Sequence, residues 1–221
     1  MHKLRDRDQG IVITLHGLGA SGSTAHCNLA RIMIEEMEGK VIFGFYGLYG
    51  NKLRLQDAAK HLIKTHKFHD RLGFFSDLVI TNVRDVRDCI ASEYRRIGRV
   101  RSIPRILDVK FPNYYKWAAH DNWAWEWKYE DWMADPFEHT AKFARILSEF
   151  FGWDRLPNYA EAVHDTLKMQ YSPDDLNKLW EARRNSNHGA VGAYADFLRP
   201  SEIDAINDIA HDWLIEHGYS I

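Results

Sequence analysis

Residues 11–24 read IVITLHGLGASGST, and this stretch decides the fold. Its first part, Ile11–Leu15, is a mostly β-branched apolar run followed by a glycine-rich segment, which predicts a short buried strand. From Thr24 to Met37 the apolar side chains recur at helical spacing instead, and Gly39 follows as a stop. The sequence therefore predicts a strand, a glycine loop and a helix in direct succession. In such an arrangement the loop amides and the helix N-terminus can bind phosphate groups.

Strands and helices continue to alternate after this unit. Further strands are predicted at Val41–Tyr46, His61–Thr65 and Leu78–Val83. Further helices are predicted at Asp85–Arg96, at Pro136–Phe151 between a cap at Asp135 and a stop at Gly152, at Ser172–Asn185, and from Ser201, with a capping-box-like partner at Asp204, to Gly218. This order predicts one α/β domain over residues 1–221, with a central, mostly parallel sheet flanked by helices, a P-loop-like strand-loop-helix and a helical C-terminal half.

The composition restricts the classes of partner. The formal net charge is -2, so there is no global basic field to attract nucleic acid or an anionic membrane, and any polyanion site must be local. No apolar run approaches the length of a membrane span, and the charged N-terminus is unlike a signal peptide. Cys27 and Cys89 fit no paired or metal-ligating pattern, which favours buried free thiols and a cytoplasmic location. The oligomeric state is left open.

The loop at Gly17–Thr24 has the spacing of a triphosphate-binding P-loop but lacks its lysine. Ser23 stands where that motif places the lysine that reaches the β- and γ-phosphates, which disfavours a conventional ATPase or kinase. A donor that carries phosphates without a triphosphate chain does not need that lysine. The structural alternative is a glycine-rich turn that only packs a helix on a strand.

The segment Ser21-Gly22-Ser23-Thr24 resembles the 5′-phosphosulfate loop of the sulfotransferases, which use 3′-phosphoadenosine 5′-phosphosulfate (PAPS). Many members have a lysine or arginine immediately before the Ser-Gly pair, where this chain has Ala20. The resemblance implies that residues 20–24 bind the donor, through backbone amides and hydroxyl groups.

The segment Leu78–Ser92 resembles the family's 3′-phosphate motif, a strand running into a helix. Arg84 and, eight residues later, Ser92 match the motif's arginine and serine, which implies that both bind the 3′-phosphate. The alternative is an ion-pair cluster on the surface at the start of a helix, formed by Arg84, Asp85, Arg87 and Asp88.

Lys64-Thr65-His66 is similar to the family's Lys-x-His segment. The resemblance implies that His66 is the catalytic base and that Lys64 stabilises the sulfuryl oxygens, and a histidine near neutral pKa suits proton removal. The alternatives are an ordinary satisfied or exposed histidine and a metal site with His61 and His69. No carboxylate or cysteine completes such a metal-ligand set.

Two later segments also resemble the family. Lys128-Tyr129-Glu130-Asp131 is similar to its Tyr-Glu-Asp segment, which implies that Tyr129 approaches the adenosine; the alternative is an aromatic strand end that leads into a helix. The stretch from Asn187 to Gly192 resembles the loop that closes over the 3′-phosphate and adenine, which implies contacts from His188 and Gly189. Many members have an Arg-Lys pair where this chain has Asn187-His188.

The resemblance implies a PAPS-dependent, metal-independent sulfotransferase that releases adenosine 3′,5′-bisphosphate (PAP) and acts on a small-molecule or carbohydrate acceptor. One alternative is a small-molecule kinase-like phosphotransferase that uses Asp70, Asp77 or Asp85 for magnesium. Another is a nucleotide-binding member without turnover. The aromatic segment Tyr114–Trp132 is either an acceptor wall or part of the core. His16 and His26 are further candidate donor contacts, and five arginines form either an anionic acceptor site or a solvated face: Arg95, Arg96, Arg99, Arg101 and Arg105.

Overall fold

The computed structural model describes residues 10–45, 59–168 and 190–221. The strands in these ranges are β1 Ile11–Gly17, β2 Ile42–Phe45, β3 Lys60–Thr65, β4 Leu78–Val83 and β5 Trp123–Lys128. The helices are α1 Ser23–Glu38, α2 Asp70–Phe75, α3 Val86–Ile97, α4 Ile103–Ala118, α5 Tyr129–Ala134, α6 Pro136–Phe151, α7 Tyr159–Lys168, α8 Pro200–Ile209 and α9 His211–Glu216. The fold is thus the predicted single α/β arrangement of a parallel sheet flanked by helices.

The five strands form one parallel sheet in the order β2-β3-β1-β4-β5. Every residue of β4 is buried and nearly every residue of β1, because helices cover both faces of the sheet. Parallel strands end at the same edge of a sheet, and β1 lies between β3 and β4. The loop that follows β1 is therefore flanked by the segments that follow β3 and β4.

Two large hydrophobic clusters make up most of the core. One joins α1, α6 and α7 to the sheet and contains Cys27, Trp127 and Phe143. The other joins α3, α4, α8 and α9 and contains Cys89 and Trp213. A third, smaller cluster contains Val12, Ile63 and Val79 of the sheet with Trp117. Both cysteines are free and buried, as the sequence predicted. No helix in the described ranges is both long and apolar enough to cross a membrane.

Most predicted elements are present, with bounds shifted by a few residues at most. The strand at Leu78–Val83 and the helix at Pro136–Phe151 have the predicted bounds, and the Asp135 side chain accepts hydrogen bonds from two first-turn N–H groups of that helix. The predicted helix at Ser172–Asn185 lies outside the described residues. The elements α2, α4, β5, α5 and α7 were not predicted, and β5 falls inside the half expected to be helical.

The prediction for the last helix was wrong at its start and in its continuity. The helix begins at Pro200, and the capping carboxylate is that of Glu202, which accepts a hydrogen bond from the Arg199 N–H at 2.9 Å. The side chain of Asp204 is exposed instead. The helix is also interrupted at Ala210, which separates α8 from α9.

The aromatic segment mainly builds the core, so the acceptor-wall interpretation does not hold for most of its rings. Tyr114 and Trp117 are buried where α4 packs on the sheet, and Trp127 and Trp132 are buried on β5 and α5. Trp123 keeps 38% of its surface exposed. Tryptophan and tyrosine supply the large apolar area that this interior needs.

Candidate active site

The loop between β1 and α1 is a tight reversal of the chain. The Ser21 N–H donates to the carbonyl oxygen of Leu18 at 2.8 Å, and Ala20 and Gly22 both adopt left-handed conformations, with φ of 72° and 76°. A Cβ atom on Gly17 would lie 2.6 Å from Ser21 Oγ, so the loop folds back directly over this glycine. Gly17 is therefore required because Ser21 approaches it closely, and Gly22 is required because of its backbone conformation.

The loop has the features of an anion site. Ser21 Oγ is buried and has no hydrogen-bond partner in the part of the chain that the structure describes. In the same part, no side chain caps the N-terminus of α1, whose first-turn N–H groups have no partner within the helix. These groups and the positive end of the helix dipole suit phosphate oxygens. The residues present thus fit the phosphate of the predicted donor.

Lys64 reaches the loop from β3. Its Nζ donates to Thr24 Oγ1 at 2.9 Å, which places the ammonium group at the first turn of α1. Burial lowers the pKa of Lys64 to about 8. The side chain is therefore a buried cation at neutral pH, next to the proposed anion site.

His66 lies at the other end of the loop. Its Nδ1 is 2.6 Å from the carbonyl oxygen of Gly17. A carbonyl oxygen only accepts, so Nδ1 carries the proton and Nε2 of the neutral ring has a lone pair. Burial, followed by the positive charge of Lys64, holds the pKa of His66 well below its usual value. The ring is thus neutral near pH 7 and half-buried, so it can take up a proton, but its pKa lies below the near-neutral value expected from the sequence.

Arg84 is buried and forms hydrogen bonds to two backbone segments. Its guanidinium donates to the carbonyl oxygen of Ala20 at 3.2 Å and to that of Ala190 at 3.0 Å. The group also lies over the Tyr129 ring, 4.5 Å from the centroid. Its Nε is buried and has no hydrogen-bond partner among the described residues. Arg84 therefore contacts the predicted loop and retains a donor that is not satisfied by the described chain.

The four charged residues at the start of α3 do pair with one another, but not on the surface. Arg87 contacts Asp85 at 2.7 Å and Arg84 contacts Asp88 at 3.5 Å, and all four side chains are buried. The two carboxylate oxygens of Asp88 also accept hydrogen bonds from the backbone N–H groups of Gly192 and Tyr194. The surface-cluster alternative was wrong because all four side chains are buried, and Asp88 joins the C-terminal segment to α3.

Tyr129 packs directly on the loop. A Cβ atom on Gly22 would lie 2.2 Å from Tyr129 Cδ2, so the ring occupies the space that any larger residue would need. Its neighbour Glu130 accepts from the Asp85 N–H and from the Tyr219 hydroxyl, both at 2.9 Å. Because α5 begins at Tyr129 directly after β5, the alternative of a strand end leading into a helix describes the local structure as well.

The remaining predicted donor contacts are Ser92, His188 and Gly189. Ser92 lies half-buried on α3, two turns after Arg84. His188 and Gly189 lie outside the described residues. The described end of their segment contacts the start of α3, because Arg84 donates to Ala190 and Asp88 accepts from Gly192. The roles of Ser92, His188 and Gly189 remain predictions.

His16 and His26 belong to the core and not to the loop surface. His26 stacks on Trp127 with ring centroids 4.1 Å apart, and its Nδ1 is 2.8 Å from Asn82 Oδ1. His16 is completely buried on β1, 6.4 Å from the Tyr114 ring. Burial lowers the pKa of both histidines to about 3, so both are neutral near pH 7 and bring no charge to the donor.

Three of the five clustered arginines are used within the chain. Arg95 donates to the carbonyl oxygen of Ala193 at 3.0 Å, and Arg99 contacts Glu202 at 3.0 Å. Arg101 lies 3.9 Å from Glu93. Arg96 and Arg105 are exposed, which agrees with a solvated basic face.

Sequence reasoning missed one residue at the loop, Lys110 on α4. Its Nζ donates to the carbonyl oxygen of Gly19 at 3.0 Å and lies 3.2 Å from Glu93 Oε2. Helical spacing of apolar residues can predict a helix here, with Ser102 before it. No local pattern indicates that one of its lysines reaches a loop about 90 residues earlier.

Within the described ranges, no group of three or more His, Cys, Asp or Glu side chains is arranged to hold a metal ion. His61, His66 and His69 therefore do not form such a group with one another. His66 instead bonds to Gly17 through Nδ1.

The fold is that of the sulfotransferases. The crystal structure of mouse sulfotransferase SULT7A1 complexed with PAP superposes with a TM-score of 0.61 at 18% identity, covering 95% of this chain and 85% of that one. The structure of retinol dehydratase in complex with androsterone and inactive cofactor PAP gives 0.61 at 14% identity, covering 96% and 82%. No protein-family model and no curated protein sequence matches the chain.

Proposed function

We propose that the chain is a sulfotransferase that moves a sulfuryl group from PAPS to a hydroxyl or amine acceptor. The observation that best supports this proposal is that the loop between β1 and α1 is contacted by four side chains distant from it in sequence. Side chains from three separate segments contact it: Lys64 at the end of β3 and His66 just after it, Arg84 after β4, and Tyr129 after β5. Each of the four contacts a different residue of the loop, and all four belong to segments that resemble the sulfotransferase motifs.

In the proposed reaction, Nε2 of His66 removes the proton from the acceptor hydroxyl. The acceptor oxygen then bonds to sulfur while the bond from sulfur to the bridging phosphate oxygen breaks, in line. PAP leaves with that electron pair, and the proton stays on His66 until it passes to water. The loop N–H groups and Lys64 stabilise the negative charge on the departing phosphate, because fixed donors and a buried cation need little reorganisation. Arg84 and Ser92 are proposed to bind the 3′-phosphate.

The arrangement of carboxylates does not favour a phosphotransferase. Asp77 Oδ2 accepts from the Val12 N–H at 2.9 Å, which places it where β1 begins, at the opposite edge of the sheet from the loop. Asp85 is paired with Arg87, and Asp70 is exposed in the first turn of α2. A kinase-like site needs carboxylates that hold magnesium against the phosphates.

A thermal-shift experiment separates the proposal from both alternatives. PAP at 100 times its Kd should stabilise the protein by about 2.7 kcal/mol, which raises Tm by about 5–10 °C for a chain of this size. ATP with magnesium should have little effect. Stabilisation by ATP and magnesium alone would indicate a phosphotransferase, and no stabilisation by either ligand would indicate a lost site.

Turnover then requires an acceptor. Incubation with PAPS and a panel of phenols, alcohols, amines and carbohydrates should release PAP with at least one class. Binding of PAP without turnover of any acceptor would support the non-catalytic alternative. Metal independence is part of the proposal and is checked by adding EDTA, which should leave the rate unchanged. The cytoplasmic location remains a prediction.

A further inference from the structure

The donor loop has no cationic side chain of its own between residues 17 and 24. Cations from three other elements reach it instead. Lys64 comes from β3, Arg84 follows β4, and Lys110 comes from the middle of α4. The first two lie in segments that the proposed function already uses. Lys110 does not. Its Nζ donates to Gly19, whereas Lys64 donates to Thr24 and Arg84 donates to Ala20.

Lys110 is fixed in place and is not a solvated surface lysine. Its side chain is only 10% exposed, and its Nζ lies between the Gly19 carbonyl oxygen at 3.0 Å and Glu93 Oε2 at 3.2 Å. The Glu93 side chain is itself 9% exposed. A buried ammonium is costly unless it is paired and hydrogen-bonded, and here both conditions are met. A Cβ atom on Gly19 would lie 3.2 Å from Nζ, so the contact is close.

The hydrogen bond to Gly19 has a consequence for the next residue. In a planar trans peptide the carbonyl of one residue and the N–H of the next point in opposite directions. By holding the Gly19 carbonyl, Lys110 therefore aims the Ala20 N–H away from α4. Loops of this kind bind anions through N–H groups that are oriented in advance.

We infer that Lys110 is a positioning residue of the donor site, which orients the Gly19–Ala20 peptide and adds a fixed positive charge beside the bound donor. The inference rests on the proposed function. The charge of Lys110 also affects His66, the proposed base. Burial is the largest cause of the lowered pKa of His66, the charge of Lys64 is the next, and Lys110 lowers this pKa by a smaller amount.

Calorimetric titration with PAP tests this role in the full chain. Lys110→Met should weaken PAP binding by about tenfold or more, the scale of one charge-assisted hydrogen bond, and Lys110→Arg should recover most of the loss. Lys142→Met is the matched control, because it removes the same charge from an exposed pair with Glu138 on α6. The control should bind PAP like the unmodified protein.

A second measurement separates this role from a merely structural one. NMR titration of the His66 ring should show a higher pKa in Lys110→Met than in the unmodified protein, and no change in Lys142→Met. If Lys110→Met does not fold, Lys110→Gln, which keeps a donor without the charge, takes its place in both measurements.

The outcomes distinguish the inference from the proposed function. If the unmodified protein binds PAP and the uncharged variant binds it within twofold, the inference is overturned and the proposed function stands. An unchanged His66 pKa, or no recovery in Lys110→Arg, also overturns it. If the unmodified protein does not bind PAP, the proposed function fails and the inference fails with it.

Discussion

The Nδ1 atom of His66 lies 2.6 Å from the carbonyl oxygen of Gly17, so the residue after β3 is bonded to the last residue of β1. This bond fixes the ring orientation and the tautomer, and leaves Nε2 as the proton acceptor. The proposed base and the start of the donor loop are thus held as one unit. Donor position and base position are coupled by the parallel pairing of the two strands.

Replacing His66 with alanine should greatly slow sulfuryl transfer while PAP still binds. The expected loss in kcat is about 10²–10⁴-fold, the usual contribution of a positioned general base. PAP release with an acceptor from the screen measures the rate, and calorimetry measures PAP binding. His211→Ala, at an exposed histidine on α9, is the control and should be fully active. Full activity in His66→Ala would remove this residue from the base role.

Gly22→Ala should disrupt the donor site more than an alanine at another glycine with positive φ. Both Gly22 and Gly39 have φ of 76°, but a Cβ on Gly22 would overlap the Tyr129 ring, whereas a Cβ on Gly39 would have nothing within 4 Å. Gly22→Ala introduces backbone strain of about 1–2 kcal/mol, and Gly39→Ala, at a ψ of -159° that only glycine readily adopts, introduces about 1–3 kcal/mol. Only Gly22→Ala should also weaken PAP binding, measured together with denaturant unfolding. Equal PAP affinity in both variants would contradict the observed packing of Tyr129 on the loop.

Arg84→Met should reduce the preference for PAP over AMP, which lacks the 3′-phosphate. The guanidinium is buried beside the loop and retains an Nε donor that no described residue satisfies, so the ratio of the two affinities should fall by about tenfold or more. Ser92→Ala should lower the ratio by a smaller factor. Arg105→Met, at an exposed arginine on α4, is the control. An unchanged ratio with both ligands weakened would show that Arg84 only supports the backbone of Ala20 and Ala190.

The protein should lose stability as the pH falls below about 6.5. His26 has a pKa of about 3 in the folded chain against 6.5 for an unperturbed histidine, so the unfolded state binds a proton first. The stabilisation is fully present above 6.5 and falls by about 1.4 kcal/mol per histidine for each pH unit below it, until the folded pKa is reached. His16 behaves in the same way.

Urea unfolding at pH 7, 6 and 5 measures this dependence. His26→Gln should have a shallower slope by about one proton, because glutamine does not titrate. Equal slopes in the unmodified protein and in His26→Gln would contradict a neutral, buried His26.

The local patterns of the sequence predicted the elements that have strong local signals. The strand at Leu78–Val83 and the helix at Pro136–Phe151 were predicted with their observed bounds. A β-branched run marks the strand, and a proline at the first position with a glycine after the last marks the helix, and both signals are local. Helix α4 was missed, although Ser102 and Pro104 mark its start, and Pro112 interrupts its pattern. Strand β5, with three tryptophans, owes its place to pairing with β4, which no local window contains.

The sequence by itself determined the strand-loop-helix and the residue types that could serve a phosphate-bearing donor, because glycine conformations, helix caps and apolar periods are properties of neighbouring residues. The tertiary structure decided which of these residues meet. It brought Lys64, His66, Arg84 and Tyr129 to the loop and left His16 and His26 in the core. It also brought Lys110 there from an element that was not predicted. The physical reason is that strand order and helix packing, which are set by burial of the whole apolar surface, fix distances between residues far apart in the chain.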